Sequence, residues 1–298
     1  MMKANLNFNS SSQRGNILHD LRNATSGQGI TIYQSQQAQL NEESNSMNPF
    51  SNLNFSYVKD PISEIEHCTG VLIKQYPDSY SNFVNGCETC NKYYIFGICQ
   101  NEYKYLFKSE ENIDCFMNIF GPISNKKLNM NLIHISSNSP SDKGVRVGNI
   151  IKSYSCSCCC ICRPELILSL EDSGEIVGKI KEDFSCFSND FKLINIKNTN
   201  RYLVTANCCQ CGLFFSNSIC GNNCDVNFSI EEPITGEKLG VITKQLVVDK
   251  KNGEESFEIK FPRNANSNDK LLLTALGIMI YYQFFDVDPR KLKHINNK

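Results

Sequence analysis

The sequence predicts a mainly β fold: a closed antiparallel β-barrel of about twelve strands, in two similar halves, around a hydrophobic C-terminal helix. Three observations predict it. The run Leu271–Phe285 carries no charge and no proline, and its apolar residues fall on every side of a helix. Such a helix belongs inside a protein or inside a bilayer. Ahead of it, from near Ile62, short β-runs alternate with polar turns. Segments of the chain also echo one another at fixed offsets, as repeated strand sets do.

The elements follow in order. Residues 1–58 are rich in Asn, Ser and Gln and poor in Val and Ile. Such a tract buries too little apolar surface to offset ordering entropy, so it reads as a disordered arm, open to binding proteins of unknown kind. Residues 59–288 form the barrel domain. Lys92–Ile98 and Tyr103–Lys108 flank Cys99-Gln100-Asn101-Glu102 as a hairpin. Leu128, Met130 and Leu132 alternate with Asn129 and Asn131, a half-buried strand. Val145–Tyr154 follows. Glu165–Glu171 and Ile176–Lys181 flank a turn at Asp172–Glu175; Phe191–Lys197 and Arg201–Ala206 flank Asn198–Asn200. Asp225–Glu231 and Leu239–Val247 flank Pro233–Glu237, and Ser256–Phe261 is the last strand.

The central helix is expected over 268–286, with Ser267 as N-cap and Asp269 suited to its positive end. Leu271, Leu272, Leu273, Leu276, Ile278, Met279, Ile280, Phe284 and Phe285 are its apolar residues. Spanning a bilayer takes about 20 apolar residues. This run is shorter, and Thr274, Tyr281, Tyr282 and Gln283 dilute it. Pro289 stops the helix, and 289–298 is a short basic tail.

Two echoes support repetition. Cys158, Cys162, Gly174-Glu175, Gly178 and Ile180 recur as Cys220, Cys224, Gly236-Glu237, Gly240 and Ile242. The segment from Ile98 to Phe107 resembles that from Ile196 to Val204. A barrel of twelve or so strands is too wide for its own side chains to fill, and an all-round apolar helix is the obvious plug.

Composition excludes some functions. Net charge is −1 and the pI about 6.4, so nothing electrostatic argues for a nucleic-acid partner. The chain has 16 Cys and no apolar h-region at its N-terminus, which points to cytosolic thiols used for lipid attachment, metal or redox chemistry. It matches neither the myristoylation nor the prenylation pattern. The sharpest local signal is the cluster Cys156, Cys158, Cys159, Cys160 and Cys162. So many thiols in so short a run cannot all point into one core. Zinc wants four tetrahedral ligands in separated pairs. Cys87 with Cys90, Cys208 and Cys209 with Cys211, or Cys220 with Cys224 offer second pairs, at spacings that fit known zinc modules poorly. Clustered cytosolic cysteines beside apolar surface suit S-palmitoylation, and two or more chains anchor stably where one does not. Cys68, Cys115 and Cys186 read as ordinary buried thiols. The four His (His19, His67, His134, His294) have no H-E-x-x-H context, and no nucleophile elbow, P-loop or dinucleotide fingerprint is present. The chain does not read as an enzyme.

Together the Cys156–Cys162 cluster, the stretch Asn207–Ile230, Gly236–Lys244, Phe257–Pro262 and the apolar terminal helix resemble, in that order, the phospholipid scramblase family. The resemblance covers roughly Ile62 to Val287. It implies a tubby-like fold, in which a twelve-strand barrel surrounds a C-terminal helix. It also implies ATP-independent, bidirectional phospholipid movement between leaflets, Ca²⁺ stimulation, palmitoylation at the Cys cluster, and attachment to the cytoplasmic face of the plasma membrane or an endomembrane. The family's Ca²⁺ loop precedes the terminal helix. Aligned through Phe261-Pro262, its acidic positions fall on Gly253, Glu255 and Asn264, of which only Glu255 is charged; Asp249 and Glu254 sit off the pattern. Ca²⁺ wants six to eight oxygens, so Glu255 is a weak candidate. The proline-rich arm of animal members is absent. Two alternatives stand beside this reading: an acylated lipid- or protein-binding adaptor of the tubby-like class without transport activity, and a zinc-stabilised binding module.

Overall fold

A computed structural model describes residues 53–75, 91–100, 102–112, 127–137, 144–153, 163–171, 174–183, 188–207, 226–245 and 256–285. Strand β1 (Phe55–Tyr57) leads into helix α1 (Pro61–His67). Then come β2 (Gly70–Gln75), β3 (Lys92–Cys99), β4 (Glu102–Glu111), β5 (Leu128–His134), β6 (Val145–Lys152) and β7 (Glu165–Leu170). They are followed by β8 (Ile176–Asp183), β9 (Ser188–Asn195), β10 (Asn200–Asn207), β11 (Val226–Glu231), β12 (Lys238–Gln245) and β13 (Ser256–Lys260). The chain then forms helix α2 (Ser267–Ile280) and a π-helical turn, Tyr281–Phe285.

Strands β2 to β13 form a closed antiparallel barrel of twelve: each pairs with the next, β13 pairs with β2, and the mainly β, helix-centred fold is as the sequence predicts. The β4–β5 join is short, from Lys108↔Ile133 to Glu111↔Met130. The first half of β4 pairs in parallel with β1 instead, Phe55↔Tyr103 through Tyr57↔Tyr105. β1 therefore extends the seam that β5 leaves unpaired, and Phe55 packs on Phe96 at 5.1 Å between ring centroids. This strand falls inside the arm expected to run to 58. Its three residues gain their pairing from the β4 edge, which sequence pattern does not show.

Inward-facing residues alternate along the strands, as Leu128, Met130, Leu132 and His134 do on β5. Helix α2 fills the barrel, with every residue from Asp269 to Ile280 buried. Its 14 residues span about 21 Å at 1.5 Å each, which suits the length of the strands around it. Gly277 marks its closest approach to the wall: a Cβ there would lie 2.7 Å from Ile259 Cδ1 and 2.9 Å from Ile73 Cδ1. The N-cap is Asn266, not Ser267: its side chain accepts from the Asp269 amide while Asp269 accepts from the Asn266 amide, a reciprocal capping box.

The first echo joins the β7–β8 hairpin to the β11–β12 hairpin, the second β3–β4 to β9–β10. Gly178 and Gly240 occupy matching places because a Cβ would strike the next strand's carbonyl, Ile194 O at 2.6 Å or Lys260 O at 2.4 Å. Gln100 and Asn198 both take positive φ at their turns. The two echoes connect different strand spacings, so they mark recurring hairpins rather than one division of the barrel into halves.

Because the barrel alternates strictly, its connections sort by end. Those after even-numbered strands (76–91, 112–127, 153–164, 184–187, 208–225, 246–255) leave from one end, here the long-connection end. Those after odd-numbered strands, together with the entry into α2, leave from the other, the short-turn end.

Candidate functional site

Helix α2 is held at both ends by groups that sequence reasoning did not single out. At the short-turn end the Arg201 guanidinium donates to Asp269 through a fork, Nη2 to Oδ2 at 2.9 Å and Nε to Oδ1 at 3.3 Å. Asp269 is only 3% exposed and also closes the capping box, so one carboxylate serves the helix start twice. Lys270 is buried beside it. Its Nζ donates to Glu66 O at 2.6 Å and Cys68 O at 2.9 Å, satisfying carbonyls at the end of α1, and sits over the Phe261 ring. Burial draws its pKa down despite those contacts. Helix α1 covers this end. It starts at Asp60, whose carboxylate accepts from the amides of Ile62 and Ser63, with Pro61 in its first turn. The sequence carried that signal, although α1 was not among the predicted elements.

Beside the helix start lies an open cavity of about 300 Å³. Val177 and Leu272 supply apolar lining, Arg201 and Lys197 the cations, and Asn266 and Asn268 the amides.

At the long-connection end the π-turn seats Tyr281 between Tyr93 (5.2 Å) and Phe257 (5.1 Å), and Phe284 against Phe228 (6.3 Å). Tyr282 Oη donates to Glu111 Oε1 at 3.3 Å, and Gln283 Nε2 to Glu182 Oε2 at 3.2 Å. Glu182 also takes Arg163 Nη1 at 3.4 Å. Lys152, fully buried on the inner face of β6, lies within electrostatic reach of Glu182. Burial lowers its pKa to about 8, with Glu182 opposing the shift.

Of the predicted helix residues, Leu271, Leu272, Leu273, Leu276, Ile278, Met279 and Ile280 are buried and Phe284 half-buried. The side chain of Phe285 lies outside the described residues. So do Cys156, Cys158, Cys159, Cys160, Cys162 and Glu255. Their attachment points are nonetheless fixed. The cluster belongs to the connection from β6 to β7 and Glu255 to the one before β13, and both connections leave from the long-connection end. Every cysteine other than Cys68 and Cys99 belongs to a connection whose flanking strand ends lie there. The ligand pattern aligned over Gly253, Glu255 and Asn264 is not one loop. The 5 residues of β13 stand between, about 17 Å of extended chain at ~3.3 Å each. Asn264 lies beyond them at the short-turn end, where it accepts from Tyr202 Oη at 3.3 Å.

A closed antiparallel barrel filled by an apolar helix defines a protein of the tubby-like class. The model of the Scramblase family matches residues 51–287, and the chain belongs to that family. No solved structure matches it. Among the described residues, no helix is long and apolar enough to cross a membrane, which says nothing of strands.

Proposed function

We propose that this chain is a membrane-attached phospholipid scramblase-like protein, supporting ATP-independent movement of phospholipids in both directions between leaflets. The Scramblase match across the barrel and its helix carries this reading. The apolar helix is used up as barrel core, so attachment falls to acyl chains on Cys156, Cys158, Cys159, Cys160 and Cys162. Their connection leaves from the end where the other cysteine-bearing connections and the end of α2 gather. Two or more chains there hold the protein at the cytoplasmic face of a plasma or internal membrane. Ca²⁺ stimulation, if it acts through the segment before β13, rests on Glu255 and its neighbours alone.

The closed ring favours a second reading. A barrel whose interior is filled by its own helix offers no path for lipid through its middle. That suits an acylated adaptor binding lipid or protein without moving lipid, the arm 1–58 supplying protein contacts. Reconstitution into vesicles carrying a fluorescent phospholipid, with and without Ca²⁺, separates the two. Transport requires the inner-leaflet signal to become accessible to a membrane-impermeant quencher. Membrane binding with no change in accessibility leaves the adaptor.

A further inference from the structure

Two cysteines stand apart from the acylation reading, at the opposite end of the barrel. We infer that Cys68 and Cys99 form a reversible disulfide that ties the junction of α1 and β2 to the end of β3. Both are free and buried, 2% and 5% exposed. Cys68 caps α1, its Sγ donating to Glu64 O at 3.4 Å, and the Cys99 thiol is near enough to help raise its pKa. Gly97 makes room for the Cys68 thiol. A Cβ at Gly97 would lie 2.5 Å from Cys68 Sγ, so any other residue there would push the thiol aside. Gly97 and Cys99 are two apart on β3 and share a face, which sets Cys68 Sγ beside the Cys99 side chain. The backbone is already clamped. Thr69 donates twice to Ile98 O, from N at 2.9 Å and Oγ1 at 3.1 Å.

The surroundings set the pace. Burial first, then the nearby Cys99 thiol, pushes the Cys68 thiol up, so its reactive thiolate is scarce and exchange is slow. Lys270 works against that shift, and its Nζ is bonded to the carbonyl of Cys68 itself. The oxidant is a small-molecule disulfide. One cysteine thiolate attacks it, forming a mixed disulfide and releasing one thiol. The second cysteine displaces the other half. Two protein thiols give up two electrons and two protons, one S–S bond forms, and the small disulfide becomes two thiols. The closed bond fixes the carbonyl that receives Lys270, and so the seat of α2, independently of any membrane.

The test uses the full chain. Protein freed of reductant is incubated with oxidised glutathione in native buffer until its mass is constant. It is then unfolded in excess N-ethylmaleimide, digested and mapped by mass. The expected result is a joined pair of peptides holding Cys68 and Cys99, which separates with dithiothreitol. Maleimide on both, glutathione left on either, or a link from either to another cysteine overturns the inference. In Cys99→Ala, Cys68 is expected to carry maleimide or glutathione and no link. The wild-type map decides the matter even if that variant folds poorly.

Discussion

The two ends of the barrel treat the same helix differently. At the short-turn end the buried carboxylate does what a helix start wants, and Lys270, a cation in the same turn, is turned onto carbonyls of α1. Asp269 stands at the positive end of the dipole, closes the capping box and receives Arg201. At the long-connection end the electrostatics are reversed. No basic residue occupies the last turn of α2, and two carboxylates, Glu111 and Glu182, sit against the turn that follows. Negative charge beside a helix C-terminus is unfavourable. The compensating cations are Arg163, 3.4 Å from Glu182, and Lys152, which comes from the barrel wall and is itself held in a dry site. Both ends bury charge: one sets a carboxylate on the helix start, the other holds carboxylates against the helix end, from which the cysteine-bearing connections leave.

The largest effects come from removing what both ends hold. Leu276 is fully buried, and Leu276→Asp would place an unpaired carboxylate in a dry interior. That costs several kcal/mol even after its pKa shifts, against a total stability of about 5–15 kcal/mol. The expected outcome is loss of the cooperative thermal transition, strands and helix together. A chain ending at Asn266 should behave the same way. If it melts cooperatively and shows dispersed amide resonances, the barrel folds without its plug and the two ends are not coupled through α2.

Asp269→Ala tests the short-turn end alone. It removes the capping-box bond and orphans Arg201, which is 37% exposed and so regains water. A loss of about 2–3 kcal/mol is expected in urea unfolding, from the cap and the charged hydrogen bonds together. Tyr282→Phe, which removes only the bond to Glu111, should cost about 1 kcal/mol. Equal losses would mean that the ends do not differ as described.

Cys156, Cys158, Cys159, Cys160 and Cys162 replaced together by Ala should leave the melt unchanged and move the protein from the membrane to the soluble fraction. Retention after alkaline wash would show that something other than acyl chains anchors it. Zinc bound to the wild type and lost from this variant would turn the cluster into a metal site.

Lys152 gives the long-connection end a pH signature. Its pKa in the fold is about 8, below the ordinary 10.5. Between those values the unfolded chain binds more protons than the folded one, so stability from this group rises with pH across the window. Below pH 8 the lysine is charged in both states and the burial cost is fully present. Wild type should gain on the order of 2–3 kcal/mol relative to Lys152→Met between pH 8 and 10.5, read from paired urea melts. Parallel curves would mean that Lys152 is solvated in the fold.

These contrasts mark what was legible in the sequence. The plug was, because an uncharged apolar run without an amphipathic stripe has few places to go. So were most strands, through alternation and turn residues such as Asn198 and Gly236. β1 was not, since Phe55–Tyr57 is too short to stand out and owes its pairing to β4. β2 was not among the predicted strands either; its run Gly70–Ile73 is buried throughout and shows no alternation. Lys152, Glu111 and Glu182 were invisible for a different reason. A charged residue in a strand looks like a surface residue until the neighbouring helix end is known. The cysteine cluster stood out as a motif, but its place at one end follows only from the parity of the strands.

The smallest expected effect concerns Ca²⁺. β13 separates Asn264 from the segment that ends at Glu255, so carbonyls and carboxylates from one connection must supply any site. Asp249, Glu254 and Glu255 are its acidic residues. Ca²⁺ affinity falls with ligand charge and rigidity, and weakly charged sites bind at about 10⁻⁴–10⁻³ M. Calorimetric titration of the full chain should therefore show millimolar-range binding or none, with Glu255→Ala changing it less than tenfold. Micromolar binding abolished by Glu255→Ala would place a strong cation site at the long-connection end.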